Sequence, residues 1–593
     1  MFIPSLVGGG IWTSARPFEF TCRLGDSVII RYAYLAWMRA RLRHFRAAAV
    51  RAREVQHHAL VEKISRNADS QFGRDYGFRE IHSVADFRAR VPVLTYEDHR
   101  PYIAKVLQGD NSAMFGPGTK VLMFAMTSGT TGDPKRLPIT EQLFYEYRMG
   151  WQLWAAGAYG DHPEIMLRKT LQLTSDWQQF TSPCGIPCGQ ISGLAANTRP
   201  RIAQMIFLPP SATSRIHDAQ SKHYTALRFA LASRKVGMII TANPTSLVEF
   251  ARRANQQSSS LIRDIHDGTL SCDIQPSVRE ALGSRIAKRN PKRALELEKL
   301  VSQHGALLPK HAWPNISLLA VWTGGSVGLF LPKLAELYGD VAIRDHGLSA
   351  SEGRMTLPIA DGTSAGMLDF HHHFFEFIPV EEHGQPNPTA LEGHELEVGR
   401  DYYILLTTSG GLYRYDIHDV VRCVGFEGQA PMLEFLNKGK NFSNITGEKL
   451  SENQVIRAAE KSFADLNLPV DYFAVAPVME PHAGYVLLVE RTAHGGRAAE
   501  LAARFQQNLG QLNEEYAEKC NGERLLPIQL REVPAGTWHR LRAEKTAARG
   551  NFEEYKHICL SQDLSLVEKL TKPAGNDSAS PAATDRQHLV GQR

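Results

Sequence analysis

The run Thr127-Ser128-Gly129-Thr130-Thr131-Gly132-Asp133-Pro134-Lys135 constrains this chain more than any other stretch of it. It follows the β-rich apolar segment Val121–Met126, so a buried strand has to open into a loop of small hydroxyl and glycine residues. Glycines leave backbone N–H groups accessible, the hydroxyls add donors, and Lys135 adds a mobile positive charge. By composition and position this is a phosphate-binding loop. Walker A spacing is absent, as is the dinucleotide fingerprint, and taken alone such a segment can also be a plain Gly/Thr turn.

A chain of 593 residues is too long for one compact core, so two or more folded units are expected. From about residue 90 to 435, β-rich runs (Val121–Met126, Val236–Thr241, Leu318–Trp322, Val341–Asp345, Tyr402–Thr407) alternate with helical patterns. Strands separated by helices predict an α/β domain whose sheets are flanked by helices. From Asn437 the pattern changes to a small α+β unit: helix Glu452–Leu466, strands near Tyr472–Val478 and Tyr485–Glu490, helix Arg497–Lys519 and a strand at Pro527–Val533. After about Thr571 the Pro/Ala/Ser-rich sequence cannot bury a core. The expected organisation is a large domain over 1–436, a small one over 437–570 and a disordered tail over 571–593.

Charge and cysteine usage narrow the function classes. Lys and Arg number 67 against 62 Asp and Glu, a net +5 that implies no polyanionic partner, so nucleic acid is not expected. Seven scattered cysteines are too few for a disulfide framework, which suits a reducing cytoplasm. The apolar runs Met1–Trp12 and Val28–Met38 are shorter than the ~20 residues of a membrane span, and no stable membrane insertion is expected. Seven arginines between Arg31 and Arg53 read best as the solvated basic face of a helix packed on the main domain.

Two further segments carry chemistry. Asp345-His346-Gly347-Leu348-Ser349-Ala350-Ser351-Glu352-Gly353 is again a β-rich run opening into a small-residue loop with a carboxylate, Glu352, able to hold Mg²⁺ on a triphosphate. A Ser-Glu pair can equally cap a helix. In Gly411-Leu412-Tyr413-Arg414-Tyr415-Asp416-Ile417-His418-Asp419-Val420-Val421, an acid sits in an apolar strand that would ordinarily exclude it. Asp419 can accept both hydroxyls of a ribose, or an Asp can pair with Arg414.

These motifs, in order and spacing, resemble the adenylate-forming superfamily of acyl-CoA synthetases, adenylation domains and luciferases. The flanking segments Phe78–Ser83, Asp86–Arg88, Arg90–Asp98, Pro101–Ile103, Trp322–Gly325 and Phe374–Pro379 look like the Gretchen Hagen family, the auxin-responsive acyl-acid amido synthetases and their bacterial relatives. The resemblance runs from about residue 55 to 560. It implies a large adenylate-forming domain with a mobile C-terminal lid, ATP and Mg²⁺ as cofactors, and a small-molecule carboxylic acid and an amine, commonly an amino acid, as partners.

By the resemblance, Thr127, Ser128, Gly129, Thr130, Thr131, Gly132 and Lys135 hold the ATP phosphates, while Ser351 and Glu352 stand at the adenine side and the Mg²⁺. Asp419 binds ribose, with Arg414 among the nucleotide-binding residues. The family usually has Gly before that Asp, where this chain has His418. A hinge is implied at Lys440 and Asn441. A catalytic lysine is implied at Lys556, in Asn551-Phe552-Glu553-Glu554-Tyr555-Lys556, where Glu554 replaces the usual Gln and Ile558-Cys559 the usual Pro-Arg. Alternatives are a related ligase with a thiol acceptor and a catalytically silent nucleotide-binding protein. His346, His371, His372, His373 and His418 are candidate bases for the amine step by residue type alone. Consecutive histidines in a strand would point to opposite faces, which disfavours a metal site at His371–His373. The acyl acid, the amine and the oligomeric state are not readable from the sequence.

Overall fold

A computed structural model describes residues 28–127, 135–324, 330–439, 442–549 and 557–571, less 444, 446–447, 449, 470–471, 480–482 and 522–524. Chain contacts divide the protein into two units, Met1–Asn441 joined by Arg542–His557, and Phe442–Leu541 joined by Ile558–Arg593. The segment Arg542–His557, expected in a continuous C-terminal domain, therefore groups with the first unit. Local sequence marks where a chain leaves a domain, whereas its return depends on contacts far away in sequence.

The first unit is built on three sheets. Five short strands form a parallel sheet in the order Phe207–Leu208, Lys169–Gln172, Val236–Ile240, Leu318–Ala320, Ala342–Arg344. Val236–Ile240 is buried throughout, as a strand covered on both faces must be. Helices such as Pro244–Gln256 supply Leu247 and Phe250 to pack with Leu171, Ile239 and Leu319. Asn243 starts that helix by accepting the Thr245 N–H at 2.9 Å, with Pro244 in the first turn, where its missing N–H costs nothing.

The second sheet is antiparallel and six-stranded, in the order Thr356–Leu357, Gly366–Leu368, Ala430–Lys438, Tyr415–Glu427, Asp401–Thr407, Phe374–Pro379. Its longest strands are joined by a two-residue turn with Gly428 at φ 60°, the left-handed conformation such a hairpin requires. In the third sheet Val121–Thr127 runs antiparallel to Lys135–Thr140 and parallel to Pro187–Gly189. Phe124, Ala125, Phe375, Leu406 and Val421 share one core with both of these sheets.

The arginine-rich N-terminal segment forms helix Val28–Ala48 and, after one tight turn, helix Ala52–Arg66. Leu35, Met38 and Phe45 are buried at helical spacing, while Arg41 donates to Gln152 at 3.1 Å and Arg46 pairs with Glu427 at 2.7 Å. The apolar positions thus pack the helix, while Arg39, Arg43, Arg46, Arg51 and Arg53 stay exposed as a solvated basic face.

In the second unit, Phe473–Val478 pairs antiparallel with Gly484–Glu490, which pairs parallel with Leu526–Val533. Helices Glu452–Asp465 and Ala498–Leu512 bury Val455, Phe463, Leu501 and Phe505. The single helix expected over Arg497–Lys519 is two, because Asn513 turns its side-chain oxygen to the Tyr516 N–H at 2.8 Å and starts a new helix, Glu514–Asn521.

Candidate active site

Of the residues that sequence singles out, Ser128, Gly129, Thr130, Thr131, Gly132 and Lys556 lie outside the described residues, as do Lys440 and Asn441. The two ends of the loop are described. Thr127 closes one strand and pairs with Lys135, which opens the antiparallel neighbour. The Lys135 ammonium lies 5.2 Å from the ring centre of Tyr96 and 5.7 Å from that of Tyr415, and donates to the Tyr415 hydroxyl at 3.1 Å.

Tyr415 connects this cation to the second motif, since its hydroxyl donates to Glu352 Oε1 at 3.4 Å. Burial and then the Glu352 charge push the phenol far above its ordinary pKa, so it remains a donor. Glu352 is buried in a tight turn in which Ala350 N–H bonds Gly353 O at 3.0 Å. Ser351 stands half-buried in the same turn and caps no helix. A Cβ at Gly353 would lie 2.9 Å from His373 Nε2, so a larger residue there would force the buried His373 ring to shift. Lysine, phenol and carboxylate thus form one chain across two sheets and a loop, a donor and an anion-plus-cation pair suited to a magnesium triphosphate.

The third motif sits in the strand that Tyr415 begins. Asp401–Thr407 pairs with it through Leu405↔Asp416 and then Tyr403↔Val420, so Ile417, His418 and Asp419 face Ile404 alone across a bulge. At its centre His418 has φ 59°, the left-handed region that favours glycine. A glycine would adopt this conformation without cost, whereas this chain holds it with a histidine. Asp419 is 4% exposed and its Oδ1 accepts from Lys438 Nζ at 2.6 Å, directly opposite in the ladder. Burial opposes the Lys438 charge, but Asp419, by charge and hydrogen bond, outweighs it and raises the lysine above its usual pKa. Among the described residues the second Asp419 oxygen has no protein hydrogen bond, which fits acceptance of a ribose hydroxyl.

Arg414 differs from expectation. Its Nε donates to Glu376 at 2.9 Å and its Nη1 to Val91 O at 2.8 Å, and Arg88 shares the same Glu376 at 2.8 Å. It pairs with a glutamate on the neighbouring Phe374–Pro379 strand rather than with an Asp of its own motif, and its guanidinium ties that sheet to the Arg88–Val91 segment. Local sequence could not supply Glu376, which is 38 residues away.

The candidate bases separate as well. His346 Nε2 is 2.9 Å from Ala320 O, so it carries the proton, and burial followed by Arg354 pushes the imidazole down to about 3. His371–His373 lie in a turn before Phe374–Pro379, not in a strand, and each has its own setting. His371 packs on Phe45 and Phe370, His372 bonds Asp369 at 2.8 Å, and His373 is 3.6 Å from Glu146. Burial holds His371 and His373 near 4.

Lys438 and the linking role of Tyr415 are not visible in the sequence, since both follow from strand register. Gly439 continues the same argument. Its N–H donates to His418 O at 2.7 Å, and a Cβ would meet the Tyr403 ring at 2.2 Å.

Family models match the chain in three consecutive pieces, the GH3 family N-terminal domain over 41–343, the central domain over 366–438 and the C-terminal domain over 453–565. A probable indole-3-acetic acid-amido synthetase GH3.2 of Oryza sativa subsp. japonica is 25% identical over 89% of this chain and 91% of its own length. The jasmonoyl-L-amino acid synthetase JAR4 of Nicotiana attenuata is 25% identical over 83% of this chain and 88% of its own. Among solved structures, a GH3.15 acyl acid amido synthetase superposes with a TM-score of 0.78 at 20% identity, covering 90% of this chain and 96% of the other.

Proposed function

The chain belongs to the GH3 family, and from that membership we propose that it is an ATP-dependent acyl-acid amido synthetase. It would join a small carboxylic acid to ATP as an acyl-adenylate with loss of pyrophosphate. An amine, by analogy with its relatives an amino acid, then attacks the acyl carbon, and AMP leaves. The observation that carries the reading is the Lys135–Tyr415–Glu352 chain with the Asp419–Lys438 pair four residues along the same strand. Together they offer phosphate, metal and ribose partners, with Tyr415 and Asp419 on one strand and Lys135, Glu352 and Lys438 brought to it from other elements.

Adenylation brings a carboxylate and a triphosphate together, so the site must offset their repulsion before attack on the α-phosphorus. Glu352 is the residue that would hold Mg²⁺, whose bound charge would offset that of the phosphates. Lys135, with Thr127, Ser128, Gly129, Thr130, Thr131 and Gly132, would bind the phosphates, and Ser351 would stand beside the base. Lys556 is assigned the cation between carboxylate and α-phosphate on the strength of its motif. The domain limits 1–436 and 437–570, with a hinge at Lys440 and Asn441, belong to the same reading. So does a cytoplasmic location, in keeping with the free state of all six described cysteines. Among the described residues no helix is long and apolar enough to cross a membrane.

The test is carboxylate-dependent ATP–pyrophosphate exchange over aryl, indolyl and fatty acids, followed by product analysis with amino acids and with coenzyme A. Exchange with one acid class and an amide product are expected. Lys135→Ala and Lys556→Ala should each lower exchange ~10²–10³-fold, the cost of removing one charge-stabilising donor. A thioester product would move the chain to thiol ligases, and absence of exchange despite ATP binding would leave a silent nucleotide-binding protein.

A further inference from the structure

Beside the ribose-binding carboxylate stands a cluster that adenylation does not require. His383, in the turn after Phe374–Pro379, places Nε2 2.7 Å from Asp416 Oδ2, and His418 places Nδ1 3.0 Å from the same oxygen. The three ligand atoms all lie within 4.8 Å of one another. Asp416 is buried and oriented by its backbone surroundings, because Oδ1 accepts the His418 N–H at 2.7 Å and only Oδ2 faces the imidazoles. His383 is fixed by stacking on Tyr403, ring centres 3.6 Å apart and 15° from parallel. Both histidine side chains keep 22–24% of their surface exposed, so an ion and its water can reach them.

We propose that His383, Asp416 and His418 form a binding site for one divalent transition metal, Zn²⁺ by ligand chemistry. Two imidazoles and one carboxylate oxygen are a ligand set that zinc takes with a position left for water, and imidazole excludes Mg²⁺ by preference. Metal bonds of about 2.0–2.2 Å need ligand atoms roughly 3.3–3.5 Å apart, which small side-chain rotations supply here. The Asp416 Oδ1 bond to backbone fixes the carboxylate as outer partners fix metal ligands elsewhere. His418 holds a left-handed conformation at φ 59° within the bulge, which turns its Nδ1 toward the same Asp416 oxygen that His383 faces. A bound ion would join the bulge preceding Asp419 to the turn at His383, and so stiffen the strand that presents the ribose partner.

The experiment uses the full chain, stripped with chelator and titrated with Zn²⁺ alone in excess Mg²⁺. One equivalent with micromolar or tighter affinity is expected, together with the intense visible absorption of low-coordinate Co²⁺ when cobalt replaces zinc. His418→Gly removes a ligand while relieving the backbone strain, so it should melt no lower than the parent yet bind Zn²⁺ at least ~100-fold more weakly. His383→Phe keeps the stack on Tyr403 and should lose binding to the same degree. Binding that persists at full stoichiometry in either folded variant, or no binding by the parent below ~100 µM, overturns the proposal. Zinc binding is read without ATP or acid present, so this proposal and the adenylation reading fail separately.

Discussion

Asp419 is almost wholly out of water, and a carboxylate so placed needs a partner whether or not a nucleotide is bound. Lys438 is that partner at 2.6 Å, itself about a third exposed. Lys438→Met would leave the charge uncompensated, and because solvent reaches the lysine the loss of stability should be about 1–3 kcal/mol, less than for a fully buried pair. Thermal denaturation measures that loss, and on the proposed ribose role of Asp419, KM for ATP should rise more than KM for the acid. Linkage gives the pH sense. The folded pKa of Lys438 is raised, so the pair's contribution is complete below the ordinary lysine value and disappears as pH rises through the raised one. The difference between parent and Lys438→Met should therefore be flat through neutrality and close as pH rises into strong alkali. A difference already lost at neutral pH would show that Lys438 is not the group that compensates Asp419.

At the scale of elements, the paired strands Tyr415–Glu427 and Ala430–Lys438 determine what the site can be, because one contributes Tyr415 and Asp419 and the other Lys438. Gly439 ends the second strand against the Tyr403 ring, which His383 holds in place by stacking. Gly439→Ala should cost about 1–3 kcal/mol as overpacking, since its Cβ would fall within the buried Tyr403 ring that stacks on His383. Exchange activity falling together with Tm is the expected result, and an unchanged melt would show that the ring moves. Here lies the boundary of what the sequence discloses. Strand cores such as Val236–Ile240 and Asp401–Thr407 were legible because apolar runs of that length are local signals. The bulge at Ile417–Asp419, the Glu376 partner of Arg414 and the break at Asn513 were not. Each depends on register or on a single side-chain bond, which periodicity does not encode.

Across the whole molecule, the motifs were legible because they are contiguous, whereas the composition of the first unit was not because it is discontinuous. A protein ending at residue 441 would retain every strand of the three large sheets and lack Arg542–His557. Arg542 is 4% exposed, and its guanidinium donates to the Thr245 carbonyl at 3.4 Å in the first turn of Pro244–Gln256, the helix that packs Leu247 and Phe250 into the parallel-sheet core. A buried charged donor of this kind contributes about 1–3 kcal/mol, so Arg542→Ala in the full chain should lower Tm measurably. The protein truncated at 441 should melt lower still or aggregate, and a peptide spanning 542–557 supplied in trans should recover part of the loss. If truncation leaves the melt of the first unit unchanged, the segment contributes nothing to its stability, and the contiguous boundary near residue 437 is the physical one.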